Sequence, residues 1–116
     1  MQKIEKWRIQ EMALVLNRFA ELLIEGQNRE WGNVFSHFFQ EAMIIIQKTE
    51  LDLDSLKRLI LSIKGCFDRA SSLRGLILHL DHPSSSEKLN QEFVEERVRL
   101  QKILLDLEER TKQLIH

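Results

Sequence analysis

The chain has 116 residues, 43% hydrophobic and 30% charged, with 17 Lys plus Arg against 18 Asp plus Glu and a formal net charge of −1. That length sustains one hydrophobic core rather than two comfortable domains. The charge balance does not favour a polyanion or an anionic membrane as partner. One Cys excludes an internal disulfide and a cysteine-rich zinc site, and one Pro, four Gly and no Tyr argue against a loop-rich sandwich or barrel.

Hydrophobic periodicity predicts an all-α single domain, an antiparallel bundle of four or five helices over residues 1–116. The first helix is expected at about 2–25, with Ile4, Met12, Val15, Leu16, Phe19, Leu22 and Leu23 on one side and Gly26 as a left-handed stop. The second, about 30–48, carries Trp31, Val34, Phe35, Phe38, Phe39, Ala42, Met43, Ile45 and Ile46 over half its circumference. The third, about 54–64, starts at an Asp54 or Ser55 cap and ends at Gly65. A short fourth helix is expected at about 68–80, with Ala70, Leu73, Leu76, Ile77 and Leu80 in phase; it is either separate from the third or one bent helix with it. Asp81 to Ser86 reads as a loop, and Ser84 with Glu87 fits a capping box for a last helix at about 85–114. Phe93, Leu100, Leu107 and Leu114 recur there every seven residues, but Glu96 and Arg110 stand where a free coiled coil wants apolar side chains.

The N-terminal stretch is charged at alternate positions, with no uninterrupted apolar core, so no targeting signal is expected. Apolar runs such as Ala42 to Ile46 fall far short of the ~20 residues of a membrane span. A cytoplasmic protein is the expectation.

Chemistry-bearing motifs are sparse. His37 and Glu41 share a helix face, but two ligands do not make a metal site. His79, Asp81 and His82 form the densest ligand cluster, but their ordinary reading is a helix end followed by a turn. Cys66 near a helix start could be a stabilised thiolate, yet nothing in the sequence holds a His against it. No phosphate loop or nucleophile elbow is present. No catalytic residue, cofactor or metal is therefore expected.

Two binding readings remain. Apolar residues off the main stripes, namely Trp7, Leu14, Val94, Val98 and Leu105, with Ile24, Ile44, Leu61 and Leu78 as single cases, either serve a helix with several neighbours or form a surface for another protein or for a second copy. Trp7 is the first choice for an anchor. Alternatively Lys57, Arg58, Lys64, Arg69 and Arg74, around a helix, Gly65 and a second helix, outline a helix-turn-helix that reads nucleic acid, although nearby Asp residues nearly cancel the charge.

Arg29-Glu30-Trp31 opening an aromatic helix, Leu56 to Ile63 running into Gly65-Cys66-Phe67-Asp68, and Ser72-Leu73-Arg74-Gly75-Leu76-Ile77-Leu78 together resemble small bacterial all-helical families of unknown function, some of them presumed toxin-immunity proteins. The turn here keeps one Gly where those families are richer. The resemblance implies a non-enzymatic binder and carries over no functional residue.

Overall fold

The computed structural model describes residues 4–68, 73 and 75–114. Four helices, α1 (Lys6–Glu25), α2 (Arg29–Gln47), α3 (Leu53–Gly65) and α4 (Pro83–Gln113), carry the fold, and there is no strand among the described residues. The all-α class is as expected, and among the described residues there are four helices of the four or five expected. Each helix packs on its neighbours in the chain and α4 closes back on α1, so the four form a ring without diagonal contacts. Arg8 pairs with Asp106 at 3.1 Å and Arg18 with Glu92 at 2.6 Å, which fixes α1 and α4 as antiparallel. At 1.5 Å per residue the 31-residue α4 is about 46 Å long, and it sets the 51 Å long axis of the molecule.

The apolar stripes bury as the periodicity requires. Phe19 lies at the centre, stacked on Phe93 at 4.7 Å between ring centroids and tilted against Phe35 at 4.7 Å and Phe67 at 6.0 Å. One aromatic cluster thus joins α1, α2, α4 and the turn after α3, adding edge and stacking terms to plain burial. Glu96 is buried in the α4 stripe; one carboxylate oxygen takes Arg99 at 3.1 Å and Oε2 has no hydrogen-bond partner among the described residues.

The helix ends differ from the sequence expectation. Ile4 and Glu5 precede α1 rather than lying in it, with Glu5 in extended conformation at the cap. Gly26 is not the left-handed stop, since its φ is −80°; Gln27, at φ 64°, takes that role. The Asn28 N–H reaches the Leu23 carbonyl at 2.8 Å and the Gln27 N–H that of Ile24 at 3.0 Å, a Schellman closure. Asn28 then caps α2 by accepting the Trp31 N–H at 3.2 Å. Glycine is required at 26 for space: a Cβ there would lie 2.7 Å from Leu78 Cβ. Helix α3 is capped by Asp52, not by Asp54 or Ser55: Oδ1 accepts the Ser55 N–H at 3.1 Å and Oδ2 accepts the Ser55 hydroxyl at 2.7 Å. Helix α4 begins at Pro83, whose missing N–H costs nothing at the first position, so the Ser84–Glu87 capping box is not used.

The largest correction concerns the helix expected at 68–80. Leu76–Leu80 is not helical; Arg69, Ala70, Ser71, Ser72 and Arg74 lie outside the described residues. Asn90 of α4 accepts the Leu78 N–H and donates to the Leu78 carbonyl, both at 2.7 Å, while Ser86 accepts the Leu80 N–H at 2.7 Å and donates to its carbonyl at 3.2 Å. Four residues of helix rise about 6 Å, and two residues of extended chain span about 6.6 Å. Ser86 and Asn90 therefore match alternate residues of an extended segment running antiparallel to α4, and a helix would not match them. Leu78 points inward and is 1% exposed, whereas Ile77 is 65% exposed, the reverse of the helical reading.

Candidate docking faces

The five off-stripe residues occupy two separate faces. On α1, Trp7 is 48% exposed and Leu14, two turns further along the same line, is 71% exposed. The Trp7 indole N–H donates to Glu5 Oε2 at 2.5 Å, and the Arg8 guanidinium lies 4.3 Å from the ring centroid. Arg8 is tied in turn to Glu5 at 3.5 Å and to Asp106 of α4 at 3.1 Å, and Arg110 holds Asp106 at 3.0 Å. The Trp7 indole N–H, and then Arg8, hold the Glu5 carboxyl below its ordinary value. The indole is thus oriented while still half open to solvent.

On α4, Val94, Val98 and Leu105 are 45%, 42% and 62% exposed. The helix meets α1 through Glu92 and Asp106. At 100° per residue the apolar trio lies about a third of a turn away from those carboxylates. It therefore does not join Trp7 and Leu14 in one patch. Beside Leu105 a groove of about 260 Å³ is lined by Phe67, Gln101 and Leu104 together with the paired Lys64 and Glu108.

The single cases divide. Leu61 and Ile44 are exposed, Leu78 is core, and Ile24 reaches across to α2, where a Cβ on Gly32 would come within 2.5 Å of its Cγ1.

The cations of the helix-turn-helix outline do not make a common field. Lys64 is bridged to Glu108, whose carboxyl it holds below the ordinary value. Lys57 borders the α3–α4 groove, whereas Arg58 borders the α2–α3 groove and contacts the Ser55 hydroxyl at 3.4 Å. Arg69 and Arg74 lie outside the described residues, and no second helix covers Leu76–Leu80.

No metal or nucleophilic geometry assembles among the described residues. His37 and Glu41 pair at 3.4 Å on an exposed face of α2. His79, Asp81 and His82 are exposed, and no three His, Cys, Asp or Glu side chains gather. Cys66 sits at the C-terminal end of α3, not at a helix start, and its thiol points to the Ser62 carbonyl at 3.4 Å. The carbonyl pole of a helix disfavours a thiolate, and burial pushes the Cys66 thiol up from its ordinary value. The groove between α2 and α3, about 420 Å³, is lined by Glu41, Lys48, Ser55 and Arg58, with Lys48 already engaged by Asp52.

Sequence reasoning missed the Ser86–Asn90 latch. The sequence carries no clear signal for it, because Leu76-Ile77-Leu78-His79-Leu80 is apolar at four of five positions and does not alternate. No helix among the described residues is long and apolar enough to cross a membrane. Comparison with protein-family models, with curated proteins and with solved structures gives no match.

Proposed function

We propose that this protein is a non-enzymatic interaction module, of immunity or adaptor type, that docks the exposed α1 face carrying Trp7 and Leu14 on another protein. The observation that carries the reading is the half-exposed indole already fixed by Glu5 and Arg8. An anchor held in its bound orientation loses little side-chain entropy on docking, and exposed Trp is enriched among residues that dominate binding energy. The mechanism is occlusion: the rigid bundle covers a surface of its partner, and no bond is made or broken. A cytoplasmic place suits such a module, with its single Cys a free thiol.

The alternative, a nucleic-acid-binding regulator, has less support. Such a regulator needs net positive potential on one face, and here Lys64 is neutralised by Glu108 while Lys57 and Arg58 border different grooves.

The test compares wild type with Trp7→Glu as affinity baits, then titrates the purified partner against both. Loss of a stoichiometric partner with unchanged circular dichroism, and a Kd raised about 30-fold or more, is the expected result. Equal capture and equal affinity by both baits overturns the reading.

A further inference from the structure

The outer face of α4 carries a second pattern that the bundle does not use. Val94, Val98, Gln101 and Leu105 are spaced by four, three and four residues, a seam of about three turns. All four are exposed. Along one flank of that seam, every seventh residue is charged with alternating sign: Lys88, Glu95, Lys102 and Glu109. These four are also exposed, and among the described residues neither Lys88 nor Lys102 makes an ion pair. The flank is not needed for the fold, because the core of α4 lies on its other side through Leu89, Phe93, Leu100 and Leu107.

We propose that α4 pairs antiparallel with the α4 of a second copy, about a twofold axis between Val98 and Gln101. The inference does not depend on the α1 face having a partner, because it uses a different face. In this register Val94 meets the other copy's Leu105 and Val98 meets the other copy's Gln101. At the ends of the seam, Glu87 meets Lys112. Flanking residues of the same kind face each other across an antiparallel pair, so Glu95 comes beside the other copy's Lys102, and Lys88 beside its Glu109. Twofold symmetry makes each contact twice, and every charged contact joins opposite signs, with Glu109 and Lys112 exchanging their 3.8 Å pairing within the chain for partners on the other copy.

The alternation of sign selects this register. A slip of seven residues in one direction sets Glu95 against Glu95 and Lys88 against Lys102. A slip in the other direction sets Lys102 against Lys102 and Glu95 against Glu109. A parallel pair brings Arg97 beside Lys102 and gains no opposite charges on that flank. Charges flanking an apolar seam choose partner and orientation in this way. The sign pattern is antisymmetric about the middle of the helix, which is the arrangement a self-complementary twofold contact requires. The groove beside Leu105, walled by Phe67 and Leu104, lies where the partner's Val94 approaches.

Sedimentation equilibrium of the full chain over a range of concentrations tests the proposal. The expected wild-type result is a reversible species of twice the monomer mass, weakened by added salt. Val98→Glu should give monomer with unchanged circular dichroism. Glu95→Lys should weaken association about tenfold or more, and adding Lys102→Glu to it should restore wild-type affinity. Within one chain Lys88 and Glu109 stand about 32 Å apart along the helix. A zero-length carbodiimide cross-link between them, read by mass spectrometry, can therefore form only between copies, and it reports the register directly. A monomer at all concentrations overturns the inference. So does a dimer that is indifferent to Glu95→Lys, or one that lacks the Lys88–Glu109 cross-link. Trp7→Glu should leave the association unchanged, so failure here and failure of the α1 docking face are read separately.

Discussion

Replacing Asn90 with Ala tests the account of the segment before α4. The side chain makes three hydrogen bonds, two to the Leu78 main chain at 2.7 Å and one to the Ser86 carbonyl at 2.8 Å. At a net ~1 kcal/mol each, their loss amounts to about 3 kcal/mol. The segment then has two options. If it stays, the Leu78 N–H and carbonyl lose their partners beside a side chain that is 1% exposed. If it lifts, it gives up the burial of Leu78, worth about 2–3 kcal/mol, together with the Ser86 contacts to Leu80. Either route leads to a loss near 3 kcal/mol, or roughly 12 °C in Tm for a chain of this size. Chemical denaturation measures the loss, and amide exchange locates it at Leu78 and Leu80. Asn90→Asp keeps the acceptor for the Leu78 N–H and loses both donated bonds, so about two-thirds of the effect should remain. A cost below about 1 kcal/mol with unchanged protection at Leu78 would refute the reasoning.

Two further changes rest on particular residues. Gln27 stands at φ 64°, so Gln27→Gly should raise stability by about 0.5–1 kcal/mol as the left-handed cost is removed and partly offset by greater freedom of the unfolded chain; a decrease in the denaturation midpoint would contradict this. Glu96 buries an oxygen with no hydrogen-bond partner among the described residues, so Glu96→Leu should raise stability by about 1–2 kcal/mol, while Arg99, whose side chain is 61% exposed, loses little; thermal unfolding that falls instead would mean the carboxylate is satisfied.

Much of the candidate surface was legible in advance. Trp7, Leu14, Val94, Val98 and Leu105 are off the stripes in sequence and exposed in the structure, because a helix whose core face is already filled turns every other apolar residue outward. Leu78 and Ile77 were misplaced together. A 3.6-residue period put Ile77 inside and Leu78 outside, and a two-residue period reverses both. A stretch of five residues is too short for periodicity to choose between the two. Cys66 was placed at the wrong helix pole for a related reason: whether Gly65 ends a helix or precedes one depends on the conformation of the residues after it.

Four long amphipathic segments, the start of α2 to within a residue, the buried aromatic set and the seam and charge alternation on α4 are all readable from the chain alone. These are local or strictly periodic properties, written in spacings that one helix expresses without its neighbours. The extended run at 76–80, the left-handed residue at Gln27 and the need for glycine at position 26 emerge only once the chain is packed. The run at 76–80 and the glycine at 26 depend on groups distant in the chain: Asn90 and Ser86 replace the hydrogen bonds a helix would have made, and Leu78 fills the space where a Gly26 side chain would stand. Long-range contacts of this kind override local preference, because a buried main-chain group takes whichever partner satisfies it.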